Sequence, residues 1–243
     1  MQLYPAIDIR GGRCVRLSQG RDDARTDYFD DPVEPAVRFA RDGAEWIHVV
    51  DLDGAFGGEA LNLPTLRRIA SLGPKVQFGG GMRSVAAAEA AFDAGASRVV
   101  IGTRAATDPS FLREMAAAHG PRLAVGIDAK DGLVAVKGWT AVTALRATDF
   151  AREAGELGVS TVIYTDIATD GMLTGPNWKS LEEVLEACPC GVIASGGVSC
   201  SEDVARLAAL SLRRPNLVGA IVGKAIYEGR CDVPSLLKAC KKA

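Results

Sequence analysis

Phe78-Gly79-Gly80-Gly81-Met82 closes one short apolar run, and Ala194-Ser195-Gly196-Gly197-Val198 closes another 116 residues later. Similar pairs flank them. Ala6-Ile7-Asp8 is matched by Gly126-Ile127-Asp128 at an offset of 120, and Val100-Ile101-Gly102-Thr103 by Ile221-Val222-Gly223-Lys224 at 121. Three matches in one order, each displaced by about half of a 243-residue chain, describe a duplicated half. Each motif sits where an apolar run ends, so the repeated unit is a strand followed by a polar or glycine-rich turn.

Short apolar runs rich in β-branched residues predict strands at 3–7, 46–50, 76–78, 99–101, 123–127, 161–164, 192–194 and 220–222. Continuous rather than alternating apolar runs suit strands covered on both faces, as in a parallel sheet. Helices are predicted between them at 32–41, 84–94, 148–156, 201–210 and 234–241, with another opened by Asp108-Pro109. Asp31, Ser84 and Asp108 are placed as N-caps, and Gly43, Gly95 and Gly158 as helix ends. Strand–helix alternation implies a parallel α/β protein. Eight such units in this length favour a closed (β/α)8 TIM barrel over an open sheet, one domain spanning 1–243 and built from two similar half-barrels.

The balance of charge narrows the partners. A net charge of −2 without a basic run argues against nucleic acid. No apolar stretch reaches the ~18 residues of a membrane span, and the start, Met1-Gln2-Leu3-Tyr4-Pro5, lacks a secretory signal pattern. A cytoplasmic protein without membrane contact is expected. Its six cysteines are then read as free thiols. Cys188-Pro189-Cys190 is their one tight pair, and without a second pair or a nearby histidine no metal site is expected.

In an eight-stranded barrel the loops at the C-terminal strand ends carry the chemistry. Asp8 ends the first strand and Asp128 the fifth, so two carboxylates face each other across one pocket and can act as acid and base. Gly80-Gly81 and Gly102-Thr103 follow strands three and four; Gly196-Gly197 and Gly223-Lys224 follow seven and eight. Glycine lets backbone N–H groups approach a phosphate, so the repeat predicts two phosphate sites and a small substrate phosphorylated at both ends. After strand six, Thr165 can bond a substrate hydroxyl or orient a carboxylate, Asp170 can supply a proton, and Gly171 a backbone N–H. Trp139, in Lys137-Gly138-Trp139, can stack on a planar ring or simply pack. Arg16 and Arg83 are candidates for phosphate or carboxamide contacts. His48 and His119 are expected to be structural, and Arg21-Asp22-Asp23-Ala24-Arg25 to lie in a long first loop.

These segments together resemble the HisA family, the ProFAR isomerases of histidine biosynthesis. The likeness is carried by Pro5-Ala6-Ile7-Asp8, Ile47-His48-Val49-Val50-Asp51-Leu52, Gly79-Gly80-Gly81-Met82-Arg83, Lys137-Gly138-Trp139, Thr165-Asp166-Ile167-Ala168-Thr169-Asp170-Gly171 and Val222-Gly223-Lys224-Ala225. The resemblance implies an Amadori-type aldose–ketose isomerisation of a bis-phosphorylated ribotide by a monomer, with no cofactor. It implies Asp8 as general base, Thr165 as an assisting residue, and either Asp128 or Asp170 as general acid. Three other functions stay open. The related cyclase carries lysine where this chain has Arg16 and lacks the Lys-Gly-Trp loop. The dual-substrate relative that also isomerises phosphoribosyl anthranilate has an arginine-rich approach where Lys137 stands. A non-catalytic phospho-ligand binder would not need Asp8, Asp128 and Asp170 together.

Overall fold

The structure, a computed structural model, describes residues 1–18 and 20–241; Gln19, Lys242 and Ala243, within the expected domain span, lie outside the described residues. Eight parallel strands form a ring: β1 (Gln2–Arg10), β2 (Trp46–Asp51), β3 (Lys75–Gly79), β4 (Arg98–Ile101), β5 (Leu123–Lys130), β6 (Thr161–Asp166), β7 (Gly191–Ser195) and β8 (Leu217–Val222). Each pairs with its sequence neighbour, and β8 returns to β1 with Leu3 opposite Ala220, which closes the barrel. The (β/α)8 fold expected from the repeat is the fold observed.

Two antiparallel hairpins extend the ring, and they too are paired by the repeat. Arg13–Ser18 and Arg21–Phe29 continue from β1; Leu133–Val136 and Ala141–Arg146 continue from β5. The stretch expected as a long first loop is therefore largely strand. Pairing with a neighbour satisfies its backbone groups, which a polar sequence does not advertise. Helices at Leu63–Ala70 and Trp178–Ala187 were likewise not expected; both follow a polar loop that hides the helix start. Two of the predicted caps hold in detail: Ser84 Oγ accepts from Ala87 N at 3.1 Å, and Asp108 accepts from Ser110 and Phe111 N. Asp31, also expected as an N-cap, is not one: the helix begins at Val33 with Pro32 as its N-cap, and Asp31 only accepts from Val33 N at 3.0 Å.

The main core lies between strands and helices. Ile7, Ile47, Phe78, Ile101 and Ile127 point outward from the barrel and meet Leu66, Leu112, Met115, Phe150 and Leu207, all essentially inaccessible. A second, smaller cluster inside the barrel contains Tyr4, Ala6, Ala124, Ile163, Ile193 and Ile221. No helix among the described residues is long and apolar enough to cross a membrane.

One lock, built twice, sets the loops above the barrel. Asp51, fully buried at the end of β2, accepts from Asn62 Nδ2 at 2.7 Å and from three loop N–H groups, of Gly54, Leu61 and Asn62. Asp166, at the end of β6, accepts from Asn177 Nδ2 at 2.7 Å and from Ala168 N. Asp166 and Asn177 follow Asp51 and Asn62 by the same offset of 115. Against the first lock lies Gly80, at φ +103; a Cβ there would sit 2.0 Å from the Asp51 carbonyl oxygen. Glycine at this position is thus demanded by backbone packing.

Candidate active site

The strand ends surround a cavity of about 320 Å3. Asp8, Arg16, Gly80, Gly81, Arg83, Gly102, Thr103, Asp128, Trp139, Thr165, Asp170, Gly171, Gly196, Gly197, Gly223 and Lys224 all line it, so the structure gathers every expected site residue around one space. His48, Phe56, Arg104, Leu173 and Ser195 also line it and were not expected there. A signal for His48 existed: a polar residue inside an apolar strand, three positions before the strand's C-terminal end.

Asp8 emerges where β1 turns into the first hairpin. Arg16, on the returning arm, donates from Nη1 to Asp8 Oδ2 at 2.7 Å and from Nη2 to the Ala6 carbonyl at 2.7 Å. Its guanidinium also lies over the Tyr227 ring, 5.3 Å from the centroid. A Cβ on Gly223 would overlap this guanidinium at 2.1 Å, so glycine after β8 makes room for the arginine. Arg16, a candidate for contacts to phosphate or carboxamide, is thus engaged with Asp8. Burial pushes the Asp8 carboxyl up, and the charge and hydrogen bond of Arg16 pull against it. Burial outweighs Arg16, so the Asp8 carboxyl stays above its ordinary value, while the ion pair favours its charged form.

Asp128 occupies the matching position after β5. Burial raises its carboxyl, while hydrogen bonds from Trp139 and Thr165 favour its charged form. Thr165 is buried on β6, opposite Asp128 in the parallel register. Trp139 reaches Asp128 from the tip of the second hairpin, where Lys137, Gly138 and Trp139 all have positive φ. Lys137 N donates to Thr103 Oγ1 at 3.1 Å, which ties that tip to the loop after β4.

Asp170 completes the triangle. Its carboxyl is pushed up to about 6, first by burial, with Asp8 and Asp128 adding to the rise and Arg16 and Lys224 opposing it. It is the group that senses both other carboxylates. Lys224 Nζ donates to the Gly171 carbonyl at 2.8 Å and so secures the Asp170 loop across the mouth. A site with one carboxyl clamped by an arginine and another pushed up to about 6 has the components of paired base and acid catalysis.

The glycine loops flank this triangle on two sides. Gly102 (φ −131, ψ −106) and Gly223 (φ −120, ψ −89) adopt nearly the same unusual backbone and each opens a short helix. Arg83 is exposed at the rim, where Nη2 donates to the Ala55 carbonyl at 3.1 Å, and Arg104 donates to the Arg83 carbonyl. Among the described residues no group of three or more His, Cys, Asp or Glu side chains is arranged to hold a metal ion. Cys188 and Cys190 are free thiols with their sulfurs 3.5 Å apart.

Comparison with known proteins follows the same lines. The profile of the family described as "Histidine biosynthesis protein" matches residues 2–232. The chain is 55% identical over 237 residues to the 1-(5-phosphoribosyl)-5-((5-phosphoribosylamino)methylideneamino) imidazole-4-carboxamide isomerase of Opitutus terrae, covering 98% of each chain. It is 46% identical to the isomerase of the same name from Alkaliphilus metalliredigens, over 97% of this chain and 98% of the relative. With that of Thermodesulfovibrio yellowstonii it shares 45% identity over 99% and 98%.

Proposed function

The chain belongs to the histidine biosynthesis protein family, and from that premise we propose that it isomerises ProFAR, the compound in its relatives' names, to the ribulosyl form. The observation that carries the mechanism is the carboxylate triangle of Asp8, Asp128 and Asp170 in one cavity, with Arg16 fixing the first of them. That compound carries two phosphoribosyl groups. One phosphate lies at Gly80-Gly81 and Gly102-Thr103, the other at Gly196-Gly197 and Gly223-Lys224, and the reacting ribose lies over the triangle between them. Trp139 covers the imidazole carboxamide, and Arg83 guards the rim.

Asp170, whose carboxyl titrates near 6, is the general acid. It protonates the ring oxygen as the C1′–O4′ bond breaks, and the exocyclic nitrogen lone pair forms a protonated Schiff base. Asp8 then takes the C2′ proton, and the C–H electron pair forms the C1′=C2′ enol while the nitrogen regains its lone pair. The enol O–H proton leaves as C1′ gains one, which gives the aminoketose with no net change in protons. Asp128 receives hydrogen bonds from Trp139 and Thr165 that favour its charged form, in which it stabilises the cationic Schiff base. No step calls for a metal ion. One chain supplies every group, in keeping with a single-domain monomer working in the cytoplasm.

Turnover of ProFAR beside phosphoribosyl anthranilate tests this. Accumulation of the ribulosyl isomer from ProFAR alone is expected. Conversion of both would make the enzyme dual-substrate, and conversion of neither would overturn the isomerase assignment.

A further inference from the structure

At three matched positions inside the barrel the first half is polar where the second half is not. The repeat places His48 and Gln77 opposite Ile163 and Ile193, and Arg98 opposite Gly219. The second half fills these inward positions with the apolar residues and glycine expected of a barrel core. The first half fills them with three groups that form a connected column. Arg98, stacked over the Trp46 ring at 4.8 Å, donates from Nη1 to Tyr4 Oη at 3.3 Å and to Gln77 Oε1 at 3.2 Å. Gln77, fully buried, meets His48 Nδ1 with Nε2 at 2.9 Å. His48 lines the central cavity, on the strand beside Asp8, with Ala6 as its register partner.

The chemistry of these donors fixes every proton in the column. A guanidinium only donates, so the Gln77 carbonyl oxygen must face Arg98. Its NH2 group then faces His48, and an amide NH2 also only donates. Nδ1 of His48 is therefore the acceptor, and the single ring proton resides on Nε2. A second proton would bring N–H against N–H. His48 shares the cavity with Asp8, Arg16, Asp128 and Asp170, and Arg98 and Tyr4 stand at the far end of the column beyond Gln77. Burial, assisted by the Arg16 charge, pushes the imidazole down to about 3.

We propose that Arg98 and Gln77 are positioning residues that lock His48 as a neutral Nε2–H donor to an oxygen of the reacting sugar. The inference rests on the isomerase function. A neutral imidazole can hydrogen-bond to the oxygen that becomes enol and then carbonyl without competing for the proton that Asp8 removes. A buried amide that would otherwise weaken an apolar barrel thereby has a reason to be there.

The chain has two histidines, so the ring can be observed directly. Long-range 1H–15N spectra between pH 5 and pH 8, with His119→Gln for assignment, should show His48 as the Nε2–H tautomer and without titration. Gln77→Glu sets an acceptor against Nδ1, and the ring should then take up a proton there and titrate in the observable range. In ProFAR turnover, His48→Ala should lower kcat about 100-fold, on the scale of one lost transition-state donor. His48→Gln, which restores an N–H near the Nε2 position, should recover most of that loss. An Nδ1–H tautomer, titration of the wild-type ring near its ordinary value, or unchanged kcat in His48→Ala would overturn the proposal. The spectra need no substrate, so absence of wild-type turnover would count against the isomerase function and leave the tautomer decided separately.

Discussion

Arg16 and Asp8 are joined by a 2.7 Å ion pair inside the cavity, with the arginine held from behind by the Ala6 carbonyl. The pair links the first hairpin to the end of β1 and sets both the position and the charge of one carboxylate. Arg16→Ala leaves that carboxylate buried without its counter-charge. Its pKa then rises further, because burial is no longer opposed. The acid limb of kcat/KM should move to higher pH, with a loss of about 100-fold or more at neutral pH. A pH–rate profile of the variant checks this, and an unmoved acid limb would show that Arg16 does not control the base.

Asp170 controls the opposite limb. A general acid must be protonated, so kcat/KM should fall as pH rises through about 6, the value to which burial pushes this group. Asp170→Asn should lower the rate and flatten that limb, whereas Asp128→Asn should leave the limb in place. If Asp128→Asn alone removed it, the acid would be Asp128.

The same shift makes Asp170 a cost to folding. Its carboxyl holds a proton more tightly in the folded chain than at the ordinary value of 3.8, so the native state carries the extra proton between those two values. Stability therefore falls as pH rises from about 4 to about 6 and stays lowered above that window. Asp170→Asn, which cannot ionise, should be more stable than wild type above pH 6 by on the order of 2 kcal/mol, with no gain below about pH 4. Urea melts at the two pH values measure the difference, and an equal gain at both would refute the linkage.

Gly80→Ala tests the loop lock. The added carbon would meet the Asp51 carbonyl at 2.0 Å in a backbone conformation that alanine avoids. A loss of about 2–4 kcal/mol is expected, larger than for an ordinary surface change. A melting temperature within a degree or two of wild type would show that the loop yields freely.

Much of this was legible in the chain because function and fold are both written in its repeat. Asp8 and Asp128, and the glycine pairs at 80–81 and 196–197, recur because each half ends its strands in the same way. What escaped depends on contacts between residues distant along the chain. The polar hairpin from Arg21 to Phe29 owes its strands to pairing with Arg13–Ser18, which local composition does not encode. Asp51 and Asn62 are eleven residues apart in sequence, and their partnership shows only when the same spacing is noticed at Asp166 and Asn177. His48 reads as structural because it does not look like a nucleophile's partner; that it lines the cavity and meets Gln77 of the next strand shows only in the folded chain. Arg16 reads as a candidate contact for phosphate or carboxamide; its ion pair with Asp8, eight residues back across a hairpin, does not show in the local sequence.

In the proposed mechanism Asp8 removes the C2′ proton of ProFAR. ProFAR deuterated at C2′ should lose its label as the wild-type protein converts it. Asp8→Asn, folded to the wild-type melting temperature or above, should release label more slowly by about 100- to 10,000-fold. Release of label by Asp8→Asn at close to the wild-type rate would contradict the assignment of the base and, with it, the chemistry assigned to the carboxylate triangle.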